Sequence, residues 1–494
     1  MVLQPTAWRS PWSVCRLSVL LSLLLAVHVG AATTWYVNGS VASGGTGRSW
    51  GQAFRSLQQA LDVASPGDSI WVAAGVYEPE HVREIEGEFA FASSFELKDG
   101  VSIVGGFRGD ETTIGQRELA ADGLYAWEFR HRTVLRQQEG VIGSVMRTGT
   151  ATLERGVSLN GLVLERGRAL GTWLDGNGGA LQGAGRLTLT ACLLQGNLAR
   201  NGGAIYWEGA LTVQSCGFFD NDLVVEGWSG VGGAITALGD GFRLTGVVCA
   251  GNGTVTKGVQ SGGALFLDGQ GLAEHCTLVQ NQAVRNASGV WLAGGATLLN
   301  SLIWGNMGAS SQLLAEQSSV AFCAVQHLSV EGLGNIPLLA ENAGPNGLEA
   351  NDNWVDGYYP CLQDPQGRDF RLAPGSYLLN RGHLEDTSAP ILDATGQDVR
   401  LCLPADIGAC ASTLRGNLAL DFSADYPYIY GASSPLLVYL GYGTPSQTSA
   451  FLVASEEYVD LEQNSPYEWL ATWLRSGTVS LSLIAEVTGD EASY

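Results

Sequence analysis

One unit recurs five times between residues 178 and 306, and that recurrence constrains the fold more than any other feature of the 494-residue chain. Its first block is Gly-Gly-Ala followed by Leu or Ile, at Gly178 to Leu181, Gly202 to Ile205, Gly232 to Ile235 and Gly262 to Leu265, with a degraded copy at Ser288 to Trp291. Successive copies begin 24, 30, 30 and 26 residues apart. The second block ends on Asn: "LTLTACLLQGN" at Asn197, "LTVQSCGFFDN" at Asn221, "FRLTGVVCAGN" at Asn252, "GLAEHCTLVQN" at Asn281 and "ATLLNSLIWGN" at Asn306.

In the second block the first and third positions are mostly apolar (Leu187 and Leu189, Leu211 and Val213, Phe242 and Leu244) and their neighbours often polar. That is the period of a strand with one buried face. The eighth position, Leu194, Phe218, Cys249, Leu278 and Ile303, is apolar in every copy and predicts a core stack. Glycine pairs permit the positive φ of a tight corner. Asn tolerates left-handed backbone and can pass a side-chain amide bond to the next copy, one strand spacing of ~4.8 Å away. A single coil cannot bury its own apolar face, so the copies must stack.

Leucine-rich repeats share the pattern of "LTLTACLL", but the rest of each period is a second β-like run and offers no amphipathic helix. The expected fold is therefore all-β, a right-handed parallel β-helix of about a dozen coils over residues 66–412. Residues 33–65 are expected to form an N-terminal cap and 413–494 a small β-rich region. Within the cap, Phe54, Leu57, Leu61 and Ala64 recur at helical spacing and predict an amphipathic helix over about 53–64, stopped by Pro66-Gly67-Asp68.

"GGAI" at 202–205 and "FFDN" at 218–221 resemble the polymorphic outer membrane protein type of repeat, whose hallmark is Gly-Gly-Ala-Ile with a downstream Phe-x-x-Asn. The flanks resemble a bacterial family of secreted β-helix proteins of pectin-lyase-like fold: "WYVNGSVASGGTGRSWGQAF" its cap, "VSIVGGFRGDETTIGQRE" its second coil, and residues 369–382 and 392–410 its closing coils. That family is expected to carry Asp where Asn380 stands, and an aromatic-Glu pair where Cys410 follows Ala409. The resemblance implies the fold; such coils serve adhesins, lyases and phage-tail proteins alike.

The N-terminus carries Arg9 and Arg16, an apolar run from Leu17 to Val27 and small residues Gly30, Ala31 and Ala32, which reads as a secretory signal peptide over 1–31. No later stretch reaches ~18 uninterrupted apolar residues, so no transmembrane segment is expected after signal removal. The tail after 412 is too short for a barrel of eight strands of ~10 residues. Losing two arginines and no acids takes the net charge from −22 to −24, a poor surface for nucleic acid. An extracellular or cell-surface location follows as an expectation.

Cys192, Cys216 and Cys276 share the sixth position and read as small buried fillers. Cys402 and Cys410, either side of a stretch containing Pro404, are the candidate disulfide. Lyases on such scaffolds use Arg or Lys beside acidic calcium ligands, and related hydrolases use tight aspartate groups. The nearest approach here is Arg243, Glu274 and His275, lying close on successive coils. Asp220 and Asp222 bracket Asn221 and form a weak Ca2+ candidate; no other cofactor is expected.

Trp207 and Trp291 fall on positions assigned inward. Phe219 and Trp304 share the outward ninth position, and Tyr206 and Phe266 a second outward column; these four are the candidate ligand contacts, with polysaccharide or cell-surface glycan as partner. The expected function is a non-catalytic binding, adhesion or envelope scaffold, with a polysaccharide lyase or glycoside hydrolase as the alternative.

Overall fold

The computed structural model describes residues 32–338 apart from 81, 85–90, 150–151, 172–175, 225–228, 254–258 and 327–331. Beyond these it describes 360, 362–372, 376, 378, 382–383, 391–399, 405–410 and six strands between 418 and 487. The chain winds as a right-handed parallel β-helix with three stacked faces. The first face includes Ile205–Glu208, Ile235–Leu238, Leu265–Asp268 and Ala287–Ala293, and follows each Gly-Gly corner. The second includes Leu211–Gln214, Phe242–Thr245 and Gly271–Glu274. Among the described residues the third is ten strands deep, from Gly75–Tyr77 to Ile336–Leu338. Leu181–Thr190 runs through both of the first two faces and joins them in a single sheet.

Each corner has a physical cause. Gly202 has φ 58°, and a Cβ on it would lie 1.9 Å from the Ile205 carbonyl oxygen; one on Gly203 would lie 2.1 Å from the Gly233 oxygen. The first glycine supplies the left-handed turn, and the second lets neighbouring coils approach. At the corner between the second and third faces, left-handed backbone recurs at Ala191, Ser215, Gly246, His275, Asn300 and Phe322, a column invisible to the repeat pattern because most of its members are not glycine.

The third corner holds the asparagine ladder. Asn197 Nδ2 donates to Asn221 Oδ1, Asn221 to Asn252, Asn252 to Asn281 and Asn281 to Asn306, each at 2.9 Å. Each Nδ2 also donates to a third-face carbonyl: Leu164, Leu194, Phe218, Cys249 and Leu278 in turn. Asn306 passes the ladder to Gln312 Oε1.

Leu194, Phe218, Cys249, Leu278 and Ile303 pair in register and are wholly buried, as the eighth position requires. Trp207 is also wholly buried, and its indole donates to the Gly185 carbonyl. Trp291 is not inward. Leu265 pairs with Val290 and Phe266 with Trp291, so the degraded copy aligns one residue earlier than its spelling implies. A one-residue slip in a strand exchanges its faces.

At the N-terminal end the helix is Leu57–Val63, capped by Ser56, with Leu57, Ala60 and Leu61 buried on the core. Thr34–Val37, assigned to the cap from sequence, already pairs with Ser69–Ala73 and is the first rung of the second face.

Residues 362–410 depart most from expectation. Their described parts do not extend the stack as closing coils. Leu362–Asp364 and Asp369–Leu372 form an antiparallel pair, and Phe370, Leu378, Ala394, Ile407, Ala409 and Cys410 build a second apolar cluster with outward residues of the third face. Polar ties fix this strap: Ser215 Oγ to Asp393 O, Ala409 N to Thr277 Oγ1 and Gly408 N to Asn300 O. The C-terminal region is antiparallel, with a four-stranded and a two-stranded sheet.

Replacing Asn252 with Ala leaves the buried backbone N–H of Asn221 without its acceptor and removes the side-chain donor from the Phe218 carbonyl. The expected cost is about 3 kcal/mol, read as a shift in the denaturant midpoint at unchanged m-value. A loss under about 1 kcal/mol would mean that the ladder sets geometry without contributing stability.

Candidate functional site

On the first face, the outward side chains form one continuous column in register: Glu96, Arg147, Gln182, Tyr206, Thr236, Phe266, Trp291 and Leu314. Tyr206, Phe266 and Trp291 are half-buried, while Thr236, between the first two, is 1% exposed. The Phe266 and Trp291 rings meet edge to face, with centroids 4.8 Å apart and planes at 61°. Trp291 Nε1 is buried without a hydrogen-bond acceptor.

Two residues further along these strands, Glu208 and Asp268 stand exposed in the neighbouring outward column, separated by Leu238. Tyr206 donates its hydroxyl proton to Glu208 Oε1 at 3.2 Å. Burial and the Glu208 carboxylate together push that phenol up to about 12, so it stays a neutral donor. The column thus couples flat apolar rings to carboxylate acceptors, a pairing suited to sugar rings and their hydroxyls.

The other two aromatic candidates are placed differently. Phe219 and Trp304 do share an outward column of the third face, but the strap and residues 124–129 cover it. Phe219 is 3% exposed, lies 6.2 Å from the Trp127 ring and 6.3 Å from Phe370, and carries the Arg368 guanidinium over its face at 4.7 Å. Trp304 packs on the same cluster with its Nε1 buried and unpartnered. Repeat spacing reveals which side of a strand a residue occupies; it carries no signal for a segment 150 residues later that lies across that side.

Arg243, Glu274 and His275 do not converge on a shared space. Arg243 Nη2 pairs with Glu274 Oε1, which Thr245 also approaches at 3.3 Å. His275 turns into the corner under the strap, 1% exposed, with Nε2 3.2 Å from Asn300 Nδ2. Burial lowers its pKa to about 4, against a weaker opposing hydrogen bond to the Gly408 backbone, so it is neutral at pH 7.

Asp220 is ion-paired with Arg368, and Asp222 accepts from the Leu223 amide. Among the described residues no group of three or more His, Cys, Asp or Glu is placed to hold a metal. Cys192, Cys216, Cys249, Cys276, Cys323 and Cys410 are buried free thiols, and the Cys192 amide donates to Cys216 Sγ at 3.3 Å. Cys402, the other half of the candidate disulfide, lies outside the described residues, as do Asn380 and residues 1–31.

Arg117, which sequence reasoning passed over, is largely buried. It donates to the carbonyls of Ile114 and Gly105 and to Asn160 Oδ1, with its guanidinium 4.5 Å over Phe129. Burial lowers its pKa to about 10, still a cation at neutral pH, and its contacts fasten the 101–118 segment to the coil beneath it.

No protein-family model matches the chain, and no curated protein matches it. Among solved structures it is similar to the pectate lyase Pel9A, with a TM-score of 0.34 and 14% identity over 78% of this chain and 97% of that one. The fold assignment rests on the strand pairing itself. No helix among the described residues is long and apolar enough to cross a membrane.

The buried neutral His275 gives a pH signature. Its folded pKa is depressed, so the stabilisation is full above the unfolded value of about 6.5 and is lost as pH falls toward about 4, by up to roughly 3 kcal/mol. Denaturant melts at pH 7 and 4.5 should show this loss, and His275→Asn, which still tolerates left-handed backbone, should remove that component. Equal losses in both proteins would assign the acid sensitivity to other groups.

Proposed function

We propose that this chain is an exported, surface or extracellular β-helix that binds polysaccharide on its first face without turning it over. The observation that carries the reading is the half-buried aromatic column Tyr206, Phe266 and Trp291, held in register by parallel pairing and bordered by Glu208 and Asp268. A rigid sheet presents these rings without ordering cost, which favours binding. The signal-like segment at 1–31 and the likeness of the repeat to polymorphic outer membrane proteins support export. The nearest acid-base grouping supports the non-catalytic half, since Arg243 and Glu274 are engaged with each other and His275 with the strap corner.

The test is co-sedimentation and calorimetry against neutral and acidic polysaccharides, with and without calcium, alongside assays for reducing ends and unsaturated products. Binding without product is expected, weakened about five- to tenfold by either Tyr206→Ala or Phe266→Ala. Trp291→Phe keeps a ring and removes a buried orphan donor, so it should retain binding with stability unchanged or raised by about 1 kcal/mol. Product formation by the purified protein would overturn the non-catalytic reading, and binding indifferent to both Tyr206→Ala and Phe266→Ala would overturn the site.

A further inference from the structure

Building on the glycan-binding reading above, we propose that the chain bound on the first face is an uncharged, linear β-1,4-linked polysaccharide lying along the helix axis. The spacing of the rings carries this. Tyr206 and Phe266 occupy the same column two rungs apart, about 9.6 Å at the usual strand separation. Thr236, on the rung between, is buried and offers no platform. Trp291 stands on the rung after Phe266 and meets it edge to face, so the two act as one platform.

A β-1,4-linked pyranose chain is extended, advances about one strand spacing per residue and turns each ring over relative to the last. Equivalent ring faces therefore recur at every second residue, in step with platforms two rungs apart. An α-1,4-glucan coils and a β-1,3-glucan curves, and each loses register with a straight column of rings on a solenoid.

Charge sets the second part. Glu208 and Asp268 are exposed beside the two platforms, and the chain as a whole carries −22. Carboxylates accept hydrogen bonds from sugar hydroxyls and repel uronate groups. Arg147 lies two rungs before Tyr206 with Glu96 in register on its far side, which leaves the aromatic stretch itself acidic.

The test uses the full-length protein and five hexasaccharides in calorimetric titration: cellohexaose, chitohexaose, maltohexaose, laminarihexaose and hexagalacturonate. Cellohexaose or chitohexaose should bind about tenfold more tightly than the other three. Reversing the exposed charges with Glu208→Lys and Asp268→Lys, which disturbs no core residue, should raise affinity for hexagalacturonate. Circular dichroism and thermal melts check that each variant is folded.

Hexagalacturonate or maltohexaose binding as tightly as cellohexaose would overturn this inference while leaving glycan binding intact. Failure of every hexasaccharide and every polymer to bind would overturn the glycan-binding reading and this inference with it. Charge reversal that leaves the acidic ligand unbound, with β-1,4 binding undiminished, would overturn the placement beside Glu208 and Asp268.

Discussion

A left-handed residue followed by a buried asparagine turns the same corner on coil after coil, and the rest of the molecule takes its register from that ladder. Each amide accepts from one neighbour and donates to the other at 2.9 Å, which leaves no slack in the rise per coil. The sequence respects this constraint. Gly178 to Asn197, Gly202 to Asn221 and Gly262 to Asn281 each span 19 residues, and Gly232 to Asn252 spans 20. Most of the variation falls between Asn and the next Gly pair, which begins 5 residues after Asn197 and 11 after Asn221. Length variation is thereby steered to one edge of the solenoid, beside the first face.

The faces use outward aromatic residues in opposite ways. On the third face, Phe219 meets Trp127, Phe370 and Arg368 and disappears into a second core. On the first, Tyr206, Phe266 and Trp291 remain half-buried, with exposed carboxylates alongside. Identical strand geometry thus yields a covered surface in one place and a partly open one in another, and the segments laid across the outside, residues 124–129 and the strap, decide between them.

The coil, its core columns and the asparagine ladder were legible in the sequence because they depend on local spacing repeated many times. Trp291 was misplaced because its copy has lost the glycines that mark the register, and one residue of error reverses a strand's faces. The covering of Phe219 could not be read at all, since it depends on Arg368 and Phe370, whose neighbourhood has no periodic signal. The apparent cluster of Arg243, Glu274 and His275 dissolved for a related reason: adjacent positions at a corner point in different directions, and His275 adopts φ 49° to enter the turn.

The strap changes what kind of object the solenoid is. An unadorned stack of coils has only nearest-neighbour terms, so it can fray or nucleate anywhere along its length. Here the described residues of 362–410 reach Tyr125, Ser215, Thr277 and Asn300 together, joining coils, such as those of Ser215 and Thr277, that do not pair with one another. Those contacts close loops of more than 200 residues in the Tyr125 case, which is costly in entropy and slow to form. A linear array therefore becomes a single cooperative body that locks only after its late segment has been delivered, so a chain threaded N-terminus first through a narrow passage would stay loose until residues near 410 had emerged.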